Sequence, residues 1–563
     1  MDDPSDGAAV VQTEAGATKR KKGPTTLRRF GGVEGKRHCR PGKRVKKAEA
    51  DPEASPSAEA MMTWLLTSGA FVDGIRVEVR GDSGRCLVAA RDLPGGTVVL
   101  RLPPQCALSP GSCVASPLGC RIKERHRLTA TLEDECTADA LTQEALDTDV
   151  LGEKVEEEET ELVTHRSVLY AVLMAAPEDD AHCGPFLAHL RAGICGTPYT
   201  WSAADRARLP LQVSKDIENY EAHIIGQYNT LFPSLSEVLP DFFPAASCTE
   251  DAWRLAHSIY TSHAFPADPA AAKAQGSKEA DGVLLPLLDC MNHDSEAANV
   301  EWLGLGLEEG CGARVTRPVV EGEELLYSYG CKGNAELTVG YGFAVWDNLH
   351  EIVTLRFDLS KHLAPSHPAW PDAAARLEAI AELDGVDLRG AGDISVSIMQ
   401  EDLDEACALA DAVSAKSHGG RRLGLMPQKL TAAALACAAA AAHVEGAAAS
   451  SCEVETSEAG NLQLLTPVAR KMLRDIMLKK GEALMRKCRG SPMGPVAWGR
   501  YERNIRNIDT VKVGSHDCAV SPEGCAVALR NAQLQVLVAA LDLLQEEEAE
   551  VEKAAERAAK QKS

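Results

Sequence analysis

Two Tyr-Gly pairs, Tyr329-Gly330 and Tyr341-Gly342, stand close together in the segment LLYSYGCKGNAELTVGYGF, residues 325–343. The chain has nine tyrosines in 563 residues, and three of them fall in this window. A phenol can donate a hydrogen bond to a reacting group, and glycine lets the backbone approach a ligand closely. The segment is therefore a candidate for catalysis or ligand binding.

A second group of polar residues ends a nearly continuous apolar run, LLPLLDCMNHDS, at Asp289, Asn292, His293 and Asp294. Polar groups at the end of a buried strand need partners, which the backbone or a ligand can supply. A Ser-His-Asp hydrolase is disfavoured because the chain contains no G-x-S-x-G elbow. A metal site would require further His or Cys residues, none of which is local, so we predict no metal.

Two weaker features complete the set. DSGRC, residues 82–86, is a glycine-bearing turn between strands where backbone groups can approach a ligand. SHAF, residues 262–265, ends a helical pattern in a polar step. Taken alone, the first is typical of an ordinary hairpin and the second of a structural histidine.

Strands must position three of these four features. IRVEVR, CLVAA and TVVLRL predict a small N-terminal meander, and VLLPLLD, NVEWLGL, ARVTRPV and ELLYSYG predict a second group of strands. Helical periodicity separates the two groups, as in THRSVLYAVLMAA and DAWRLAHSIYTSHAF, and helical patterns follow to the end. We therefore predict an α+β fold in which a helical insertion splits the β-rich part and an all-α C-terminal domain follows.

The predicted boundaries follow these changes in pattern. Residues 1–60 form a disordered basic tail, residues 61–345 the β-rich domain with its insertion at about 121–259, residues 346–545 a helical domain, and residues 546–563 a charged helical tail. The acidic stretch 150–162 is expected to be a solvated loop or helix face, and the segment 267–282 a flexible surface insertion.

Composition limits the class of protein. The opening MDDPSDG lacks the pattern of a signal peptide, the Ala-rich run 430–449 is too weakly apolar for a membrane span, and no C-x-x-C pair occurs among eighteen cysteines. We expect an intracellular monomer with reduced thiols, no membrane partner and location in the nucleus or cytoplasm rather than the chloroplast.

Charge is distributed unevenly. The net charge is −23, yet residues 19–47 contain thirteen Lys or Arg and one acidic residue. The acidic remainder disfavours a dedicated nucleic-acid binder. The basic tail is consistent equally with a nuclear address, an arm for an acidic surface, or a solvated segment without a specific partner.

Together and in this order, the four features resemble the SET-domain methyltransferases. The branch with a split SET domain and a C-terminal helical domain, typified by the Rubisco large-subunit lysine methyltransferase, has the pattern G-x-G-L-V-A, S-R-A-F, P-x-x-D-x-x-N-H and Y-G-x-x-x-N-A-E-L-x-x-x-Y-G-F. This chain has GRCLVA, SHAF, PLLDCMNH and YGCKGNAELTVGYGF. The resemblance covers residues 61–343 in its motifs and continues by helical character to about residue 545.

The resemblance implies a knot-like crossing, bound S-adenosylmethionine, methyl transfer to a protein side-chain nitrogen, and a protein substrate docked on the helical domain. Tyr329 corresponds to the catalytic tyrosine of the family. Cofactor-binding positions are Ser83, Gly84, Arg85, His263, Asp289, Asn292, His293, Tyr341, Gly342 and Phe343. Substrate-binding positions are Phe265, Leu288 and Ser328.

Two residues depart from the pattern. Cys86 replaces the second glycine of G-x-G, which would strain a turn that needs positive φ. His263 replaces the arginine of S-R-A-F and so removes a permanent positive charge beside the expected cofactor pocket. A catalytically degenerate SET-like binding module is therefore an alternative to an active enzyme.

The acceptor is a further alternative. A related subgroup that methylates a histidine of actin resembles S-R-Q-N at the SHAF position and has Trp before the Asp of the Asp-x-x-Asn-His element. This chain has Phe265 and Leu288 at the two corresponding positions. Asn can hydrogen-bond an imidazole, whereas Phe265 offers an aromatic wall for an alkylammonium group. The residues therefore favour lysine over histidine.

Overall fold

The computed structural model describes residues 56–80, 84–125, 128–129, 163–177, 183–193, 196–266, 282–304, 310–346, 348–416, 425–445, 455–456, 463–485, 510–513 and 515–562. Nearly all of the predicted basic tail, the acidic stretch 150–162, most of the segment 267–282 and Ser83 lie outside these residues. All described residues belong to one compact unit.

The three predicted N-terminal strands are present, but the third does not pair with the second, so they do not form one meander. The strands of this region are β1 (Phe71–Val72), β2 (Ile75–Arg80), β3 (Gly84–Ala89) and β4 (Val98–Leu102). β2 and β3 form an antiparallel hairpin, with Arg80 opposite Gly84 at its end. Ile75 and Val77 of β2 face the main core, as the alternation in IRVEVR predicts. The alternation ends there, because Val79 is exposed and Glu78 is buried.

Helices precede and follow these strands. They are α1 (Pro56–Thr67), α2 (Pro110–Ala115), α3 (Pro117–Arg125), α4 (His165–Ala175), α5 (Gly184–Ala192), α6 (Ala203–Arg206), α7 (Leu211–Leu231), α8 (Ser234–Val238) and α9 (Glu250–His263). β5 (Leu128–Thr129) and β6 (Val163–Thr164) form a short parallel pair among them. Thr164 caps α4 by accepting a hydrogen bond from the Ser167 N–H, which explains where the predicted helix begins.

The second group of strands is also present, with one difference. It comprises β7 (Ala264–Pro266), β8 (Gly282–Leu284), β9 (Asn292–His293), β10 (Val300–Gly304), β11 (Cys311–Val315), β12 (Leu326–Tyr327) and β13 (Ala344–Val345). β10 and β11 join β4 and β1 in a four-stranded antiparallel sheet, order β1-β4-β11-β10. The predicted strand VLLPLLD ends early, because Pro286 and the positive φ of Leu287 turn the chain into a 3₁₀ turn, Leu288–Cys290.

After β13 the chain is mostly helical, as predicted. One helix, α10 (Asn334–Tyr341), lies just before β13. The helices after β13 are α11 (Trp370–Glu378), α12 (Gln400–Lys416), α13 (Gln428–Glu445), α14 (Pro467–Met485) and α15 (Pro522–Lys562). The remaining strands are β14 (Val353–Asp358), β15 (Val386–Gly390), β16 (Asp393–Ile398), β17 (Glu455–Thr456), β18 (Gln463–Leu464), β19 (Thr510–Val513) and β20 (His516–Ala519).

The prediction of an all-α C-terminal part was wrong in one respect. β14, β16 and β15 form a three-stranded antiparallel sheet within it. The alternation in VTLRFD buries Val353, Leu355 and Phe357 on one face, and those residues join the core of the C-terminal helices. Period-two alternation is the signal that would have identified this strand.

The end of the chain returns to the β-rich part. The hairpin of β19 and β20 pairs with β13, with Ala519 opposite Ala344. α15 then contributes residues 525–529 to the core of the β-rich part and residues 534–544 to the core of the C-terminal part. By length and composition α15 could cross a membrane, but 72% of its most apolar window is buried inside the fold. It is a core helix that joins two cores.

Candidate active site

A parallel strand pair brings two of the sequence motifs together. Asn292 lies opposite Leu326 and His293 opposite Tyr327 in the pairing of β9 with β12. The Asp294 N–H donates to the Tyr327 C=O at 3.1 Å and extends this pairing by one residue. The Asn-His element and the first Tyr-Gly pair are therefore neighbours, as the motif comparison predicted.

Tyr329 is held at both its backbone and its hydroxyl. Its N–H donates to His293 Nδ1 at 3.0 Å, and its hydroxyl donates to the Met291 C=O at 2.7 Å. The rings of Tyr329 and His293 lie 5.0 Å apart. Burial raises the pKa of Tyr329 well above its ordinary value, so the phenol stays protonated.

His293 is a neutral acceptor. Burial lowers its pKa to about 4. Because Nδ1 accepts the Tyr329 N–H, the remaining proton of the neutral ring is on Nε2. His293 therefore fixes the position of the tyrosine without adding a charge beside it.

Tyr329 stands in the middle of an aromatic row. The row contains Trp302, Phe265, Tyr327, Tyr329, Tyr341 and Phe343, with neighbouring ring centres 4.8–6.4 Å apart. Tyr341 is nearest to Tyr329 at 4.8 Å, and Phe265 reaches Tyr329 through Tyr327. Aromatic faces attract an alkylammonium group and exclude water from it.

The second Tyr-Gly pair ends α10. Gly342 has a φ of +81°, and a Cβ atom there would lie 2.6 Å from the backbone of Gly196. This position therefore requires glycine for both its conformation and its close approach. At the other end of α10, the Asn334 N–H donates to Glu351 at 3.0 Å, so a buried carboxyl group holds the start of the helix.

Asn292 connects the two β-rich segments. Its Nδ2 donates to Glu324 Oε1 at 2.7 Å and to the Arg85 C=O at 3.4 Å. Gly84, next to Arg85, has a φ of +73°, and a Cβ atom there would meet no atom within 4 Å. The backbone beside Asn292 is therefore open on one side, as a ligand-binding turn would be.

The polar groups around this open backbone suit a zwitterionic ligand. Asp289 Oδ2 is buried and accepts no hydrogen bond from the described part of the chain, and burial raises the pKa of Asp289 to about 6. Burial also lowers the pKa of His263 to about 4, so that ring is neutral. The charge of Arg85 acts on both groups, lowering each pKa, and supplies the cation that His263 does not.

The two departures from the family pattern have simple local consequences. Cys86 is fully buried within regular β3, and the positive φ of this segment belongs to Gly84. The anticipated strain at Cys86 therefore does not arise. His263 Nδ1 lies 3.0 Å from the Ile259 C=O and 2.7 Å from Ser262 Oγ at the end of α9.

Two of the three predicted substrate positions lie near Tyr329, and the third does not face the site. Phe265 belongs to the aromatic row, and Ser328 lies next to Tyr329, where its Oγ accepts the Gly330 N–H at 3.3 Å. Leu288 is fully buried in the main core and is not open to a substrate in this conformation.

Asp294 ends the same polar group, but the sequence motifs give it no role in the site. It is fully buried, and its Oδ2 accepts hydrogen bonds from the N–H and hydroxyl of Ser515, both at 2.7 Å. Its Oδ1 accepts the N–H groups of Glu296 and Ala297. These bonds lower the pKa of Asp294 and tie the Asn-His element to the hairpin of β19 and β20.

Residues 84–330 match the SET domain family. The chain is 29% identical over 150 residues to Ribosomal lysine N-methyltransferase 1 of Saccharomyces cerevisiae. The aligned residues are 26% of this chain and 24% of that protein. It is 29% identical over 136 residues to Ribosomal lysine N-methyltransferase set10 of Schizosaccharomyces pombe, 24% of this chain and 23% of that protein. The chain spans about a quarter of the length of these curated relatives.

The fold is also similar to solved structures. The structure of Rubisco LSMT bound to AdoMet has a TM-score of 0.51 at 16% identity, covering 88% of this chain and 93% of that one. The crystal structure of the SET domain of LSMT bound to MeLysine and AdoHcy has a TM-score of 0.52 at 15% identity, covering 88% and 94%. These similarities establish the fold, and the predicted α+β class and SET resemblance are confirmed.

Proposed function

Since residues 84–330 of the chain form a SET domain, we propose that the protein transfers a methyl group from S-adenosylmethionine to the side-chain amine of a lysine in a protein substrate. The observation that carries this proposal is the placement of Tyr329. A protonated phenol, fixed at its backbone by His293, stands in an aromatic row beside the Asn-His element.

The cofactor-binding role is assigned to the open backbone and its polar surroundings. Gly84 offers open space beside the backbone, Asn292 an amide and Asp289 a buried carboxyl group, and Arg85 brings a positive charge. Such a set suits the amino, carboxylate and ribose groups of S-adenosylmethionine. Tyr341, Gly342 and Phe343 are assigned to enclosing the cofactor from the other side.

The acceptor amine must be neutral to react, whereas a free lysine has a pKa of about 10.4. The aromatic row supports loss of the proton because a poorly solvated environment disfavours the charged form. The Tyr329 hydroxyl and the Met291 C=O lie together at the centre of the row and can orient the amine by hydrogen bonds. When bound, S-adenosylmethionine supplies the methyl group as an electrophilic sulfonium.

Lysine is favoured over histidine as the acceptor. Phe265 packs against Trp302 and Tyr327 and offers only an aromatic face. None of the residues in the aromatic row carries a side-chain amide, so the row offers no amide to hydrogen-bond the ring nitrogen of an acceptor imidazole.

A groove in the C-terminal part is the proposed docking site for the protein substrate. It has a volume of about 720 Å³ and is lined by the start of α7, by β14 and by α14. Six of its lining residues are basic (Arg356, Lys361, Arg389, Lys471, Lys479 and Lys480) and two are acidic (Asp358 and Asp475). A basic groove in a chain of net charge −23 suits an acidic segment of a partner. We accordingly assign catalysis to residues 61–345 and docking to residues 346–545.

The experiment combines cofactor binding with substrate labelling. The full-length protein should gain thermal stability with S-adenosylmethionine and transfer label from it to a protein in a lysate of the source organism. Ribosomes purified from that organism should be tested first, because both curated relatives are named as ribosomal lysine methyltransferases. Mass spectrometry then identifies the modified residue.

The outcomes separate the alternatives. Label on lysine supports the proposal, and label on histidine favours the actin-type acceptor. Cofactor stabilisation without labelled protein favours a degenerate binding module. If the cofactor gives neither stabilisation nor labelling, both the cofactor site and the activity assigned here are wrong.

A further inference from the structure

Three potential metal ligands lie close together, and two of them directly precede the Asn-His element in the chain. His189 on α5 and the adjacent residues Asp289 and Cys290 of the 3₁₀ turn place one ligand atom each within 4.8 Å of the other two. His189 Nε2 lies 3.3 Å from Cys290 Sγ, and Cys290 Sγ lies 3.7 Å from Asp289 Oδ1. The sequence showed no local cluster because His189 is 101 residues away from Cys290.

These spacings suit a tetrahedral centre. Ligand atoms bound to Zn²⁺ at about 2.0–2.3 Å in a tetrahedron lie about 3.3–3.7 Å apart. One imidazole nitrogen, one thiolate and one carboxylate are all ordinary zinc ligands, and three protein ligands leave a fourth position open.

The surroundings of the cluster also fit. His189 and Cys290 are buried, and the second ring nitrogen of His189 lies 3.5 Å from Ser57 Oγ on α1. A partner on that nitrogen fixes the tautomer in which Nε2 is free to bind a metal. Asp289 also has its second oxygen, Oδ2, buried without a hydrogen bond from the described residues.

We propose that His189, Asp289 and Cys290 bind one Zn²⁺ ion, or another divalent ion with affinity for thiolate. Asp289 is shared with the proposed cofactor site, but metal binding can be measured by itself, so the proposal does not depend on the methyltransferase activity.

Arg85 determines which ions are suitable. Its guanidinium donates to the His189 C=O, and its charge acts on Asp289 and Cys290. A nearby cation opposes binding of ions held mainly by charge, such as Mg²⁺ and Ca²⁺, whereas bonds to thiolate and imidazole favour zinc. A thiolate and a carboxylate together neutralise the ion, and binding releases the thiol proton to solvent.

An ion bound to Cys290 would also affect how Tyr329 is held. Met291 follows Cys290 directly, and its C=O accepts the Tyr329 hydroxyl. The turn before it contains Leu287, the non-glycine residue with positive φ among those described. A bound ion would fix this strained turn and with it the acceptor of the catalytic phenol.

Cobalt substitution tests the site without an activity measurement. The full-length protein, freed of metal with a chelator, is titrated with Co²⁺ while near-ultraviolet absorption from thiolate-to-Co²⁺ charge transfer is recorded. We expect one equivalent bound, a charge-transfer band, displacement by Zn²⁺, and no displacement by Mg²⁺ or Ca²⁺. Cys290→Ser should abolish the band, and His189→Gln should weaken binding at least about tenfold.

Matched variants separate this site from general thiol binding. Cys106→Ser replaces another buried cysteine, and Cys331→Ser an exposed one; both should keep the band. Should Cys290→Ser fail to fold, wild-type protein decides the question, since Zn²⁺ should protect Cys290 from alkylation, read by peptide mass spectrometry. The proposal is overturned if no band appears in the wild type, if the band survives in folded Cys290→Ser, or if Zn²⁺ leaves Cys290 alkylation unchanged.

Discussion

The β-rich part and the C-terminal part use polar residues in different ways. Around Tyr329, polar groups are buried and hydrogen-bonded to fixed partners, as with His293, Asp294 and Asn334. In the C-terminal groove, Lys471, Lys479 and Asp475 are exposed on α14. Buried bonds fix geometry, whereas exposed charges act over a distance and tolerate change. We therefore expect turnover to be sensitive to the loss of single atoms around Tyr329, and substrate docking to be sensitive to the total charge of the groove.

Removing the hydroxyl of Tyr329 is the most severe test of whether turnover is sensitive to single atoms. Tyr329→Phe should lower kcat at least about 100-fold, since one oriented donor in such a site contributes that much. Cofactor affinity, measured by calorimetry, should stay unchanged because no contact to Asn292 or His293 is lost. Tyr228→Phe is the matched control, because that hydroxyl also donates to a backbone carbonyl, at 2.8 Å. Wild-type turnover in Tyr329→Phe would refute the role given to this residue.

Removing one buried carboxylate tests whether the two parts depend on each other. Asp294→Ala leaves the donors of Ser515, Glu296 and Ala297 without their acceptor. The free energy of unfolding should fall by about 0.5–1.5 kcal/mol for each hydrogen bond lost. We expect a melting temperature lower by several degrees and weaker cofactor binding. Asp517→Ala, on the exposed side of the same hairpin, should change neither quantity. Lower stability with unchanged cofactor affinity would mean that Asp294 supports the fold without positioning the site.

A pH series tests the buried carboxyl group at the start of α10. Burial raises the pKa of Glu351 to about 8, so the folded state holds a proton that the unfolded chain releases at a lower pH. The stabilisation is complete below the ordinary carboxyl pKa and is lost as the pH rises through about 8. Between about pH 5 and pH 9, wild-type stability should fall by on the order of 1–3 kcal/mol more than that of Glu351→Gln.

Urea unfolding at each pH provides the measurement for this series. Glu237→Gln, which replaces an exposed carboxylate, should retain the wild-type pH dependence. Parallel pH curves for wild type and Glu351→Gln would show that Glu351 ionises normally in the folded protein.

Charge reversal in the groove should have the smallest effect. Lys471→Glu with Lys479→Glu should raise KM for the protein substrate several-fold and leave kcat unchanged, since exposed charges contribute about 0.2–1 kcal/mol each. Added salt should reduce the difference from wild type. Lys123→Glu, outside the groove, is the control. A change in kcat with KM constant would contradict a docking role.

The same comparison explains what could be predicted from the sequence. Tyr329, Asn292 and His293 lie in continuous motifs, and strand periodicity predicted strands next to those motifs. Asp294 and Ser515 are 221 residues apart, and His189 and Cys290 are 101 apart. Such pairs carry no local pattern, because their meeting depends on how the whole chain packs. The sheet of β14, β16 and β15 had a readable alternation that the surrounding helical periodicity outweighed.

The hairpin of β19 and β20 has a consequence for biosynthesis. It pairs with β13, and its Val513 and Cys518 pack with Leu326 and Leu337, against which Tyr341 and Phe343 lie. On the ribosome, this hairpin is made after β13 and after all of the described helices and strands that lie between them in the chain. Domains fold in general from the N-terminus as they emerge. Here β13 and its neighbours have to wait for β19 and β20, so we expect the part of the chain around Tyr329 to complete its packing only after the C-terminal part has been made.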